Sequence, residues 1–146
     1  MERSAPVIDM WAPVVPSREI MEHMAGHFPE PQLEYLRVFQ GRASDARAVA
    51  AMCRALSCED GAVLASLDEA GITRALITGF DEASTGGTTF VSNESVDAIA
   101  CRHRDRFIPF VGIDIMRGAE SLRQLEYWIR ERGFKGLSLR PFMIGL

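Results

Sequence analysis

The chain is short of cysteine, of histidine and of long apolar runs, and each shortage removes a class of function. Its three cysteines, Cys53, Cys58 and Cys101, are odd in number and form no Cys-x-x-Cys pair. No disulfide framework is therefore expected, and a reducing, cytoplasmic setting is the default. No apolar run approaches the ~20 residues that span a bilayer, so no membrane partner is expected. The N-terminus also lacks the charged start, apolar middle and small-residue cleavage site of a signal peptide. A cationic excess is missing too. Sixteen Lys and Arg against twenty Asp and Glu give a net charge of −4, which offers no electrostatic footprint for nucleic acid. The one basic cluster, Arg102, His103, Arg104 and Arg106, is interrupted by Asp105. It falls at the expected end of a helix, where cations complement the helix dipole.

What the chain does contain is enough apolar material for a packed core. Hydrophobic residues make up 47% of its 146 positions and charged residues 25%, the balance of one ordinary soluble domain. Short β-rich apolar runs alternate with longer amphipathic ones. Strands are predicted over residues 6–11, 72–80, 107–115 and 134–139, each the near-continuous apolar run of a parallel sheet covered on both faces. Helices are predicted between them. One covers 45–52, with Ser44 as its cap. A second covers 59–70, with Val63, Leu64 and Leu67 on one face and Gly71 as its stop. A third starts at Asn93 or Ser95 and continues through Val96, Ile99 and Ala100. The last covers 119–132, where Leu122, Leu125 and Ile129 form an i, i+3, i+7 stripe ending at Gly133. This order predicts right-handed crossovers and a parallel α/β sheet.

Residues 12–40 break the rhythm with Pro13, Pro16, Pro29 and Pro31. After a first strand, such an insertion sits at the carboxyl end of the sheet, either as a lid that touches substrate or as a packing loop. Within it, His23 and His27 are four residues apart, but the flanking order is not His-Glu-x-x-His and Gly26 and Pro29 disfavour a helix. They read as two loop histidines rather than metal ligands. The run from Ser84 to Thr89 follows the second strand. Its glycines suit a loop at the active end, or a backbone cradle for an anion, although it lacks the lysine of a phosphate-binding loop.

Four segments together carry a family resemblance: residues 7–11 (VIDMW), 67–75 (LDEAGITRA), 106–114 (RFIPFVGID) and 133–141 (GFKGLSLRP). Their combination resembles the first four strand units of the amidohydrolase-related family, the metal-dependent hydrolases that include aminocarboxymuconate-semialdehyde decarboxylase. The resemblance implies the N-terminal half of a (β/α)8 TIM barrel, about four parallel strand–helix units. It also implies hydrolysis or decarboxylation of a small carboxylated or aromatic-derived substrate, in most members at a divalent metal such as zinc. The first strand departs from the pattern. Where the family carries Asp-x-His-x-His, this chain has Asp9, Trp11 and Pro13, and neither Trp nor Pro ligates a metal through its side chain. No metal ligand is assigned, and the cofactor stays open.

The residues expected at the barrel mouth are Asp9, Trp11, Asp114 and Arg140. Asp9 is the candidate general base, orienting group or cap, and strand alternation suggests that it faces the barrel interior together with Trp11. Arg140, in phase with Ser138, either pairs a substrate carboxylate in bidentate fashion or forms an ion pair with Asp114. A closed barrel typically takes ~250 residues, so the chain reads as a truncated barrel, inert on its own. The alternative from another class is a non-catalytic half-barrel module that binds or assembles, two copies pairing edge to edge as a homo-oligomer. An independent flavodoxin-like nucleotide binder is a third reading, disfavoured because no Gly-rich turn follows the first strand.

Overall fold

Strands that must run parallel need a crossover between them, and the computed structural model, which describes residues 5–10, 60–86 and 89–139, supplies one at each step. In chain order the elements are β1 (Ile8–Asp9), α1 (Asp60–Glu69), β2 (Arg74–Thr78), β3 (Phe80–Asp81), α2 (Ala83–Gly86), β4 (Thr89–Val91), α3 (Asn93–Arg102) and β5 (Phe107–Gly112). A 3-10 turn (Ile115–Arg117), α4 (Ala119–Arg130) and β6 (Gly136–Ser138) follow. β1, β2, β5 and β6 form one sheet in that order, and every pairing is parallel. This is the strand arrangement of a partial (β/α) barrel. The expected lid at 12–40, the helix at 45–52, Trp11, His23, His27 and Arg140 lie outside the described residues.

Local chemistry fixes the ends of the elements. Ser92 caps α3, its Oγ accepting from the Ser95 amide at 3.1 Å, which settles the start between the two expected positions. Gly71, at φ +68°, ends the α1 turn: the Ile72 amide donates back to the Leu67 carbonyl at 2.8 Å, the left-handed closure that glycine adopts without strain. Gly133, at φ +74°, does the same work after α4.

Alternation divides the sheet into two faces. Ala75, Ile77, Phe107 and Val111 are buried against the helices, with Val63 and Leu67 of α1, Val96, Ile99 and Ala100 of α3, and Trp128 of α4. The alternate residues Arg74, Leu76, Thr78, Ile108 and Phe110 are only half-buried and line the opposite, inner face. Burying Phe107, 1% exposed, contributes about 2–3 kcal/mol.

Two expectations are corrected here. The run read as one strand over 72–80 is cut at Gly79. Thr78 ends β2, and Phe80–Asp81 turns away to pair antiparallel with β4, so the segment read as a loop from Ser84 to Thr89 carries a helical turn and enters a hairpin. On α4, the stripe Leu122, Leu125, Ile129 is only in part the core face, since Leu125 alone of the three packs against the core. Leu122 is 65% exposed and Ile129 36%, whereas Ser121 and Trp128 are buried. Trp128 decides the rotation, because its ring packs 5.0 Å from that of Phe134 and outweighs the smaller leucines in buried area.

Candidate functional site

At the carboxyl ends of the strands the backbone comes unusually close to itself. A methyl group at Gly112 would overlap the Gly79 carbonyl, and one at Gly79 would overlap the Asn93 side chain. Asn93, buried at the first turn of α3, uses this closeness. Its Nδ2 donates to the Gly112 carbonyl at 2.8 Å, and its Oδ1 accepts from the Gly112 amide at 2.9 Å. One amide side chain thus satisfies the last residue of β5, where the ladder stops.

A small depression opens beside this junction. Gly79, the β3 residues Phe80 and Asp81 and the following Glu82 line it, with Gly112 and Ile113 at the end of β5 and Ser138 and Leu139 at the end of β6. Glu82 is buried, 4% exposed. Asp81 Oδ1 accepts from the Thr89 hydroxyl at 2.8 Å and meets Arg117 Nη2 at 3.3 Å. Asp114 lies behind the rim with a fully buried side chain. Its Oδ2 accepts from the Ser84 amide at 2.7 Å and its Oδ1 from the Met116 amide at 3.1 Å, while Arg117 Nε stands 3.8 Å away. Its carbonyl accepts from Ser121 Oγ. Burial alone would raise the Asp114 pKa. The hydrogen bonds from Ser84 and Met116 and the charge of Arg117 outweigh it and hold the carboxyl below the usual value of 3.8. Asp81, Arg117 and Asp114 together fasten the β3–β4 hairpin to the turn after β5.

The expected residues fall into different places. Asp114 is at the mouth, but both its oxygens hold backbone amides, and among the described residues Arg117 is its cation partner. Asp9 pairs in register with Ala75, and Ile8 with Arg74. Asp9 therefore shares the phase of the helix-side residue Ala75 and lies three residues below Thr78, where β2 ends. Trp11 and Arg140 are not among the described residues. Asp81, Glu82, Asn93 and Arg117 are additions. Two consecutive acids directly after an apolar strand were a usable signal, since the carboxyl end of a parallel strand is where such folds place chemistry.

At the other end of the sheet the basic cluster is tied down. Asp60 Oδ2 meets Arg102 Nη2 at 2.8 Å and His103 Nε2 at 3.0 Å, and Arg106 Nη2 meets Asp68 at 2.7 Å. Arg102 first, then His103, hold the Asp60 carboxyl below its usual value against a partial desolvation. Among the described residues no three His, Cys, Asp or Glu side chains converge as metal ligands. With Trp11 and Pro13 at the first-strand positions, those positions and the described residues offer no donor set that fits the divalent metal implied by the resemblance. Among the described residues no helix is long and apolar enough to cross a membrane.

Comparison with known proteins places this geometry. A family model described as amidohydrolase matches residues 8–146. No curated protein sequence matches the chain. Among solved structures, 2,6-dihydroxybenzoate decarboxylase, complexed with 2,6-dihydroxybenzoate, is similar at a TM-score of 0.52 and 15% identity, over 92% of this chain and 39% of that one. The 5-carboxyvanillate decarboxylase of Novosphingobium aromaticivorans, with bound manganese, gives 0.55 and 19%, over 90% and 40%. The 4-oxalomesaconate hydratase of Rhodopseudomonas palustris gives 0.55 and 16%, over 95% and 43%. At these identities the likeness is one of fold, and the chain spans about two-fifths of the length of each.

Proposed function

The chain belongs to the amidohydrolase family, and from that premise we propose that its strand–helix units form part of an enzyme that hydrolyses or decarboxylates a small carboxylated or aromatic-derived substrate. One observation carries the reading. Asp81, Glu82 and Ser138 meet around a depression at the carboxyl ends of adjacent parallel strands, the end at which (β/α) barrels place their chemistry. Two of the similar structures are decarboxylases named for carboxylated aromatic compounds, which supports the substrate class.

In this reading Asp81 holds Thr89 and Arg117, and Glu82, buried at the lining of the depression, is the candidate to move a proton at the substrate. Ser138 orients a substrate oxygen through its hydroxyl. Asp114 and Arg117 are positioning residues that keep the hairpin wall in place. Arg140, one residue beyond Leu139, pairs with the substrate carboxylate. Trp11 contributes an aromatic wall, whereas Asp9, in the phase of Ala75, takes no part at the substrate.

The reading is tested by titrating 2,6-dihydroxybenzoate into the isotopically labelled chain. The amide resonances of Gly79 to Glu82, Gly112 and Ser138 are expected to shift together. Shifts scattered over the helices, or none at millimolar ligand, would sink it. The 146-residue chain alone is expected to release no carbon dioxide and to hydrolyse no lactone or amide. Turnover by the pure chain, abolished by Glu82→Gln, would overturn that expectation of inertness while supporting the site. Self-assembly of the half-barrel is a second reading, favoured by exposed apolar side chains at both sheet edges: Val7 and Ile8 on one, Leu137 and Leu139 on the other.

A further inference from the structure

Three adjacent parallel strands end at the depression, and the middle one ends on a residue with no side chain by which to be held. Gly112 closes β5, between Gly79, which follows β2, and Ser138, which closes β6. All three residues line the depression. Asn93 supplies the hold that Gly112 lacks. Its side-chain amide matches the Gly112 backbone in both directions, donating through Nδ2 to the carbonyl at 2.8 Å and accepting through Oδ1 from the amide at 2.9 Å. The same Oδ1 lies where a methyl group on Gly79 would have to go. One side chain therefore meets the ends of two strands, bonded to one and packed against the other.

The hold is a firm one. Asn93 is 8% exposed, so water competes poorly for either bond, and both gain strength from the low dielectric around them. Asn93 is itself fixed, because it opens α3 directly after the Ser92 cap, and Val96 and Ile99 anchor that helix in the core. On its far side Gly112 pairs in register with Ser138, while Glu82 follows Gly79 by three residues along the opposite wall. Asn93 does not line the depression. What it controls is the spacing of the residues that do. A misplacement of ~1 Å in such a constellation can cost about a hundredfold in rate.

We infer that Asn93 is a positioning residue for this site. By clamping Gly112 and abutting Gly79, it sets the distance between the wall that carries Glu82 and the strand end that carries Ser138. The inference rests on the enzymatic reading of the depression and adds to it the residue that holds the two sides of the site apart. Asn93→Asp tests it, with pH as the control. A protonated carboxyl has a donor and an acceptor, the pattern of the amide it replaces, whereas an ionised one only accepts and faces the Gly112 carbonyl. Burial favours the protonated form, so the variant is expected to change state between about pH 5.5 and pH 8.

The isotopically labelled full chain is titrated with 2,6-dihydroxybenzoate at both ends of that range, each variant being compared with wild type at the same pH. Asn93→Asp is expected to bind the probe about tenfold more weakly at the alkaline end and within about threefold of wild type at the acid end. Its unliganded Gly79, Gly112 and Ser138 amide resonances should move and return over the same range. Ser92→Ala loosens the start of α3 without touching Gly112, and it should bind as the wild type does. Weak binding by Asn93→Asp at both ends, or an equal loss in Ser92→Ala, overturns the inference, because the residue would then serve only the stability of the helix. Wild-type affinity in Asn93→Asp at the alkaline end overturns it too. Should that variant not fold there, Asn93→Ser takes its place, with the tenfold loss expected at either pH and wild-type affinity overturning the inference. A wild-type chain that binds no probe sinks the enzymatic reading alone. The unliganded resonances then decide, and Gly79 and Ser138 signals that stay still in the variant overturn the clamp.

Discussion

The two ends of the sheet are both rich in charge, yet they hold the fold by different means. At the carboxyl end, Asn93 and Asp114 are buried, and the hydrogen bonds they make go to backbone groups of Gly112, Ser84 and Met116. At the amino end, the pairs Asp60–Arg102 and Asp68–Arg106 join side chains that are partly or largely exposed. The difference teaches where geometry is specified. A buried amide or carboxylate that satisfies backbone groups has no substitute in water if it is removed. An exposed ion pair has water as its alternative and is worth little.

The comparison is broken most directly at the rim. Gly112→Ala drives a methyl group into the Gly79 carbonyl, and Asn93→Leu strands two buried backbone groups. Each is expected to cost about 3 kcal/mol or more in urea unfolding. A loss under 1 kcal/mol for both would mean that the junction yields easily, and the rim would be no better specified than the floor.

A smaller effect is expected at Asp114. Asp114→Asn keeps the shape but loses the charge that strengthens the bonds from Ser84 and Met116, at a cost of about 2 kcal/mol. Its pH dependence has a definite sign. The folded carboxyl titrates below the unfolded value of 3.8. Its contribution is therefore complete above that value and is lost as pH falls through the lowered folded value. The wild type should lose stability more steeply than Asp114→Asn as pH falls below about 4. Parallel acid profiles would show that the carboxylate contributes nothing as an ion.

The smallest effect belongs to the floor. Asp60 is also held below its usual value, and its contribution has the same sign and the same acid window. Its partner Arg102 is 56% exposed, so screening by solvent leaves Asp60→Asn within about 1 kcal/mol of wild type at pH 7. Raising the salt concentration to 1 M should reduce even that. A loss at Asp60 equal to that at Asp114 would erase the distinction between the two ends.

Much of the architecture was legible before the structure, because hydrophobic runs and glycine stops are local signals. The strands at 107–112 and 136–138 and the helices starting at 60, 93 and 119 fall within the predicted segments. What escaped was set by partners distant in sequence. Asn93 reads as a helix start, and nothing near it announces the hydrogen bonds to Gly112, nineteen residues on. The strands Phe80–Asp81 and Thr89–Val91 are too short for alternation to register. The α4 stripe was partly misphased: Leu125 packs against the core, but Trp128 fixes a rotation that leaves Leu122 and Ile129 exposed. Of the site, Asp114 is the expected residue whose partners the structure describes, and both its carboxylate oxygens accept from backbone amides. Asp81 and Glu82 carried a signal that the apolar run before them obscured.

The sheet also implies an order of events. From residue 60 onwards each strand is followed within a few tens of residues by its neighbour in the sheet, so β2, β5 and β6 can form from nearby pieces of chain. β1 cannot, since its anchor is the Val7 carbonyl, bonded to Thr73 sixty-six residues away. Closing so long a loop carries the largest entropic cost in the sheet. β1 is thus made well before its partner, and its place beside β2 waits until residue 73 has emerged from the ribosome.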